Sequence, residues 1–249
     1  MILFILLVLL FLIYMYLTIQ KVEGFDNDQV FDPFYSYHYD DIFNTIPLYE
    51  EMIFKVLPLL TQGSSMLWMG SRNGHGVQLL NDMGKPTGMD GSSAMVKMSR
   101  YKYPSNTFLQ GDYTQKDLFS PRSFTAVFCP FLELHRVSDL DVLMRNVSDW
   151  IVQYGYFVIT RIDLSQFSTA LLAESPSLNY TSEIKASETK NEWIETFTQP
   201  NSKKLTNKQT LYPYTMQEIA AVAKRYDLKQ INQYAGSLVP LQVLVYQKK

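Results

Sequence analysis

The chain has 249 residues, of which 47% are hydrophobic and 18% are charged, so it can bury a full core and carries less charge than the usual quarter. A net charge of −2, with no Lys/Arg cluster longer than a pair such as Lys203-Lys204, argues against binding bulk nucleic acid, which needs a basic face. The lone Cys129 excludes an intramolecular disulfide framework and a Cys-based zinc site, and His38, His75 and His135 show no ligand spacing, so no metal is expected.

Residues 1–19 are an uncharged apolar run, MILFILLVLLFLIYMYLTI, with Tyr14 and Tyr16 near one end. As a helix it reaches about 28 Å, close to the hydrocarbon thickness of a bilayer. There is no basic leader, the run is long for a signal peptide, and no A-x-A-like site follows, which favours a retained anchor over residues 1–20. Lys21 flanks the run and pulls the rest of the chain toward the cytosol, giving a single-pass topology. Asn146-Val147-Ser148 and Asn179-Tyr180-Thr181 are sequons, but such triplets arise often by chance and do not decide for the lumen.

Residues 21–48, aromatic and acidic, read as a linker and N-terminal arm; the remainder, 49–249, reads as one domain. Within it the spacing of Ile53, Val56 and Leu60 predicts a helix over 49–60. A short apolar strand follows at 65–69, then the turn Gly70-Ser71-Arg72-Asn73-Gly74-His75-Gly76 and a helix over 77–83. A second strand over 87–89 ends at Asp90, and a helix over 92–101 starts at a serine cap. The third strand is 107–110, the fourth 123–129, and the fifth 156–160, with a helix over 140–152 before the last. Strand-like pieces at 193–198 and 204–211 suggest a hairpin insertion at about 190–212. A helix over 216–226 and strands at 228–232 and 241–247 close the chain.

This alternation implies an α/β domain with a mostly parallel sheet and helices on both faces, and the two final strands, with no helix between them, imply one antiparallel strand. Ligands of such sheets bind beyond the carboxyl ends of the strands. Three loops there carry suitable groups. Gly70 and Gly74 would let backbone approach a ligand closely, or would simply punctuate a turn. Asp90 can accept both hydroxyls of a ribose, or cap a helix. Asp112 can accept from an exocyclic amine, with Tyr113 covering a base, or can serve as a turn residue. Their order, one at each successive strand end, favours the ligand reading.

At these residues the sequence resembles the class I S-adenosylmethionine-dependent methyltransferases. SMLWMGSRNGHG resembles their glycine-rich first motif, PTGMDGSSAMV the second, and FLQGDY the third. SFTAVFCPFLELHRVSDL resembles the fourth-strand segment and NVSDWIVQYGYFVIT the helix, turn and fifth strand. The resemblance implies a Rossmann-like, doubly wound seven-stranded sheet, with S-adenosylmethionine as cofactor. It implies cofactor-binding positions at Gly70, Ser71, Gly74, Asp90, Gly91, Asp112, Tyr113 and Cys129, although Cys129 by itself reads as a buried strand end. Two departures stand out. Trp68 occupies the place of an acid that helps anchor the methionine amino group, and Arg72 occupies the place of the middle glycine.

Methyl transfer from a sulfonium needs little beyond alignment and exclusion of water, so no base need be visible. Glu133, His135, Tyr35 and Tyr37 are the candidates on the acceptor side. Cys129-Pro130-Phe131-Leu132 matches neither the Asp/Asn-Pro-Pro-aromatic pattern of amino-methylating nucleic-acid enzymes nor the Pro-then-Cys order of cytosine-carbon methylation. Two readings follow: an anchored methyltransferase acting on a small molecule, a lipid or a protein, favoured by Asp90 and Asp112, and an inactive methyltransferase-like module, favoured by Trp68 and Arg72. The acceptor, the oligomeric state and the membrane are not encoded in these motifs.

Overall fold

A computed structural model describes residues 30–167, 179–187, 189–198, 204–237 and 240–249. The apolar segment expected to be an anchor lies outside the described residues. Among the described residues no helix is long and apolar enough to cross a membrane.

The described chain opens with helix α1 (Pro33–Ile42), whose start is set by Asp32: its carboxylate accepts the Tyr35 amide at 2.8 Å, and Pro33 follows as a first helical residue with no amide to satisfy. Helix α2 (Ile46–Val56) runs on into a 3-10 turn at Leu57–Leu59. Then come β1 (Ser64–Met69), α3 (His75–Leu79), β2 (Gly84–Asp90), α4 (Ser93–Lys102), β3 (Thr107–Gln110) and β4 (Phe124–Cys129). The short α5 (Glu133–Arg136) and α6 (Leu140–Trp150) lead to β5 (Ile151–Ile162). Strands β6 (Asn179–Lys185), β7 (Asn191–Thr198) and β8 (Lys204–Leu211) precede α7 (Met216–Arg225), β9 (Leu228–Ala235) and β10 (Leu241–Lys248).

Seven strands form one sheet in the order β3-β2-β1-β4-β5-β10-β9. Strands β1 to β5 pair in parallel, and β10 runs antiparallel to both β5 and β9, as the missing final crossover helix implies. The order reverses between β1 and β4, which makes their carboxyl ends the switch point. The remaining strands form a separate antiparallel sheet, β6-β7-β8. The pairing of β7 with β8 matches the expected hairpin; β6 adds a third strand whose NYTSEIK sequence alternates between exposed and half-buried and buries no residue fully.

Helix α6 stops at Trp150 rather than Val152, because Ile151 pairs with Phe124 and begins β5. The alternation of buried residues along the strands builds two apolar layers. One face of β1 and β4 sends Met66, Trp68, Ala126 and Phe128 toward α1, α2 and the second sheet. The other sends Leu67, Met69, Val127 and Cys129 toward α6 and α7. Each large side chain buried this way contributes about 1.5–3 kcal/mol. Trp68 is the keystone of the first layer: it stacks on Phe128 at 5.5 Å between ring centres and meets Tyr49 edge-on at 5.0 Å. Gly76 is required beneath it, since a Cβ there would lie 2.1 Å from the indole.

Candidate cofactor site

The turn after β1 is built on three left-handed residues, Gly70 at φ 61, Arg72 at φ 46 and Gly74 at φ 90. The Gly74 amide closes the turn onto the Ser71 carbonyl at 2.8 Å, and the Ser71 amide continues the sheet onto Met89 at 2.9 Å. Gly74 has no alternative, because a side chain would strike Phe108 and Tyr103, each at 2.9 Å. Arg72 holds a conformation that costs a non-glycine residue about 1–2 kcal/mol. Asp90 at the end of β2 compensates. One of its oxygens, Oδ2, accepts the Arg72 backbone amide at 3.0 Å and the Arg72 guanidinium at 2.8 Å. Its other oxygen, Oδ1, accepts the Ser92 amide at 2.9 Å.

The second guanidinium nitrogen of Arg72 bonds Glu133, which also lies 3.6 Å from Arg136. Arg136 in turn donates to Gln209 on β8 at 2.8 Å. The ring of Phe31 covers this group, 4.0 Å from the Arg72 guanidinium and 5.3 Å from that of Arg136. The strap carrying Phe31 is fixed by its carbonyl, which accepts the Ser92 hydroxyl at 2.5 Å. Burial opposes the charge on Arg72, but Glu133 and Asp90 more than offset it, and its pKa is raised.

A cleft of about 370 Å3 opens at the ends of β1, β2 and β3, within the range of small-molecule sites. Gly70, Asp90, Gly91, Asp112 and Tyr113 all line it, so the expected groups, remote along the chain, do converge. Asp112 also accepts the Thr114 amide at 2.7 Å, so it is a turn residue as well as a wall of the cleft. Tyr113 is anchored through its hydroxyl, 3.1 Å from Ser138, and its carbonyl, which accepts Asn146 at 2.7 Å. Arg136, Phe31, Ser92 and Gln110 line the cleft too and were not foreseen.

Three expected cofactor contacts lie elsewhere. Ser71 and Gly74 shape the turn but do not line the cleft, and Cys129 is wholly buried beside Val127 in the second core layer, where burial pushes its thiol pKa up. Of the acceptor-side candidates, only Glu133 lines the cleft. His135 is not a general base: it is fully buried, its Nε2 accepts the Ile162 amide at 3.0 Å, and its Nδ1 faces the Tyr212 carbonyl at 2.8 Å. Burial lowers its pKa to about 4, so it stays neutral. Tyr35 is turned away from the cleft and donates to Glu195 at 2.7 Å, and Tyr37, 62% exposed, is on the outer side of α1.

Glu195, on the second sheet, is the centre of a closed polar network. Its Oε1 accepts Tyr35 and Tyr180 (2.8 Å), and its Oε2 accepts Asn207 (2.8 Å) and Gln209 (2.6 Å). Burial pushes its carboxyl pKa up, against the pull of these donors.

Comparison with known proteins finds likenesses for this geometry. A methyltransferase-domain family model matches residues 67–159. That stretch runs from within β1 to within β5 and holds the turn after β1 and both carboxylates. Over residues 67–159 the chain is similar to methyltransferase domains. Its fold is similar to an S-adenosylmethionine-dependent methyltransferase from Clostridium acetobutylicum, with 13% identity, TM-score 0.67, and 80% of this chain covered against 90% of that one. It is similar to the sugar N-methyltransferase KedS8 from a Streptoalloteichus species, with 15% identity, TM-score 0.63, and coverage of 92% and 96%. CalS10, an amino pentose methyltransferase from Micromonospora echinaspora solved with S-adenosylmethionine bound, matches at 13% identity and TM-score 0.57 over 82% and 89%. At such identities the likeness is one of fold. No curated protein matches the sequence.

S-adenosylmethionine is the cofactor of the domains this chain is similar to, and the cleft fits its two ends unequally. The base end fits: Gly91, Asp112 and Tyr113 line open space, with no atom outside the adjoining residues within 4 Å of where a Gly91 side chain would begin, whereas the ribose acid Asp90 is already bonded to Arg72. Over Gly70 the space is taken by the chain itself, since a Cβ there would lie 2.1 Å from the Glu133 carboxylate. Trp68 does not intrude; its indole is buried in the core.

Proposed function

We propose that this chain is a membrane-anchored, S-adenosylmethionine-dependent methyltransferase acting on a small-molecule, lipid or protein acceptor. The observation that carries the reading is the meeting of Gly70, Asp90 and Asp112 on one nucleoside-sized cleft. The cofactor, when bound, supplies an electrophilic methyl on a sulfonium. The protein's part is to hold and to exclude water. Asp90 and Asp112 accept from the nucleoside, Tyr113 bounds the base, and Phe31 closes the cleft from the arm. Glu133 and Arg136 are the polar groups nearest the acceptor side. No proton-transfer residue is assigned, since His135 is neutral and sealed by backbone.

Residues 1–20 are assigned as the anchor, with the domain in the cytosol where the cofactor is made. Asn146 is fully buried and bonded to the Tyr113 carbonyl, so its sequon cannot be modified in the folded domain; Asn179 is exposed. Glycan at Asn179 in cells would place the domain in the lumen and overturn the cytosolic assignment.

A second reading, an inactive methyltransferase-like interaction module, is favoured by one observation: Arg72 already occupies the ribose acid. Calorimetric titration of the full chain in detergent with S-adenosylmethionine separates the two. Saturable heat supports the enzyme; no heat and no thermal shift at millimolar cofactor leaves the module.

A further inference from the structure

The hydrogen-bond count at Asp90 constrains how its site can work. An ionised carboxylate offers about four acceptor positions. Asp90 is 2% exposed and has three of them filled, by the Ser92 amide, the Arg72 amide and the Arg72 guanidinium. A ribose presents two neighbouring hydroxyls and needs two positions. One remains. The backbone amides are fixed by the turn and the α4 cap, so the guanidinium is the only donor that can leave. Its departure is feasible because its other nitrogen stays paired with Glu133.

We propose that Arg72 is a self-ligand of this site: its guanidinium stands in for the ribose hydroxyls on Asp90 and must be displaced before a nucleoside is held. This rests on the reading that the cleft takes S-adenosylmethionine. It makes the middle position of the first motif a determinant of cofactor affinity. The side chain there is both the competitor for Asp90 and the partner of Glu133 over Gly70. Phe31 reinforces the self-ligated state by stacking on the guanidinium, so the strap at residues 30–31 helps hold the cation on Asp90 against the ribose. A desolvated cation–π contact of this kind is a substantial addition to the ion pair.

The test is the affinity of S-adenosylmethionine for the full chain, by calorimetry, with Arg72→Gly beside wild type. Glycine suits the backbone at φ 46, so the turn survives. The substitution tightens binding at least about tenfold, the effect of losing one charge-assisted competitor. In wild type the guanidinium nitrogen resonance of Arg72 moves on saturation with cofactor, which a purely structural arginine would not do. Arg72→Lys, a point charge without the planar fork, gives an intermediate gain of about threefold and decides the matter if the glycine variant lacks a cooperative melt. Wild-type binding that is unchanged or weaker in the variant that folds overturns the self-ligand and leaves the cofactor reading standing. No binding by wild type or by either variant at millimolar cofactor overturns both.

Discussion

Arg72 reaches Asp90 twice, through its backbone amide at 3.0 Å and its guanidinium at 2.8 Å, and both contacts end on the same carboxylate oxygen. The pair joins the carboxyl ends of β1 and β2 and fixes an arginine in left-handed backbone where a glycine would be at ease. The acid that the fold offers to a ligand is therefore also a structural support of its own turn.

Removing that support has a cost that can be measured. Asp90→Ala strips the buried Arg72 of one of its two carboxylates and frees the Ser92 amide. Breaking a buried pair from one side typically costs about 3–5 kcal/mol, and urea denaturation of the variant is expected to show a loss of that size. A loss under about 1 kcal/mol would mean that the turn is held by other contacts.

The fold was legible where burial dictates pattern. The short apolar runs of β1 and β4 and the capped helix α4 stand where their sequences place them, because each is buried against a layer that only such residues can fill. Helix α1 had its start signal in plain view, Asp32-Pro33, but aromatics on every side of it masked the helical period. The site was legible to the extent that its groups sit at strand ends. Asp90 and Asp112 follow from that rule; the union of Arg72 with Asp90 does not, since it depends on a backbone angle. Phe31 and Arg136 had no local signature, and their role arises from the approach of the arm and α5 to one cleft. His135 is a candidate base on residue type alone, and Cys129 a cofactor contact on the resemblance alone; both face the core, as Cys129 read by itself suggests.

His135 makes stability pH-dependent. Its pKa is about 4 in the folded chain against about 6.5 when unfolded. Only the unfolded chain binds a proton between these values, so the stabilisation is complete above pH 6.5 and is lost as pH falls toward 4. The loss is about 3 kcal/mol by linkage. His135→Gln can donate to the Tyr212 carbonyl and accept the Ile162 amide without titrating. Denaturant midpoints from pH 7 to pH 4 are expected to fall more steeply for wild type than for this variant; parallel curves would show that other groups set the slope.

Glu195 ties α1 to the second sheet through Tyr35, Tyr180, Asn207 and Gln209. Glu195→Ala removes one acceptor from each of four donors, with a donor left dry costing about 1–3 kcal/mol and water entry relieving part of it. A fall of at least about 3 kcal/mol is expected, with faster amide exchange in α1. Glu195→Gln restores most of the loss, because its amide can donate to the two tyrosine oxygens while its carbonyl accepts from Asn207 and Gln209. Equal losses in the two variants would contradict a hydrogen-bonding role.

The most direct examination of the cleft is a crystal structure of the full chain grown with millimolar S-adenosylmethionine. The expected density lies along Gly91, Asp112 and Tyr113, with the ribose on Asp90 and the Arg72 guanidinium swung away. Density for the cofactor elsewhere, or an unchanged Arg72–Asp90 pair in crystals soaked to saturation with no cofactor bound, would contradict it.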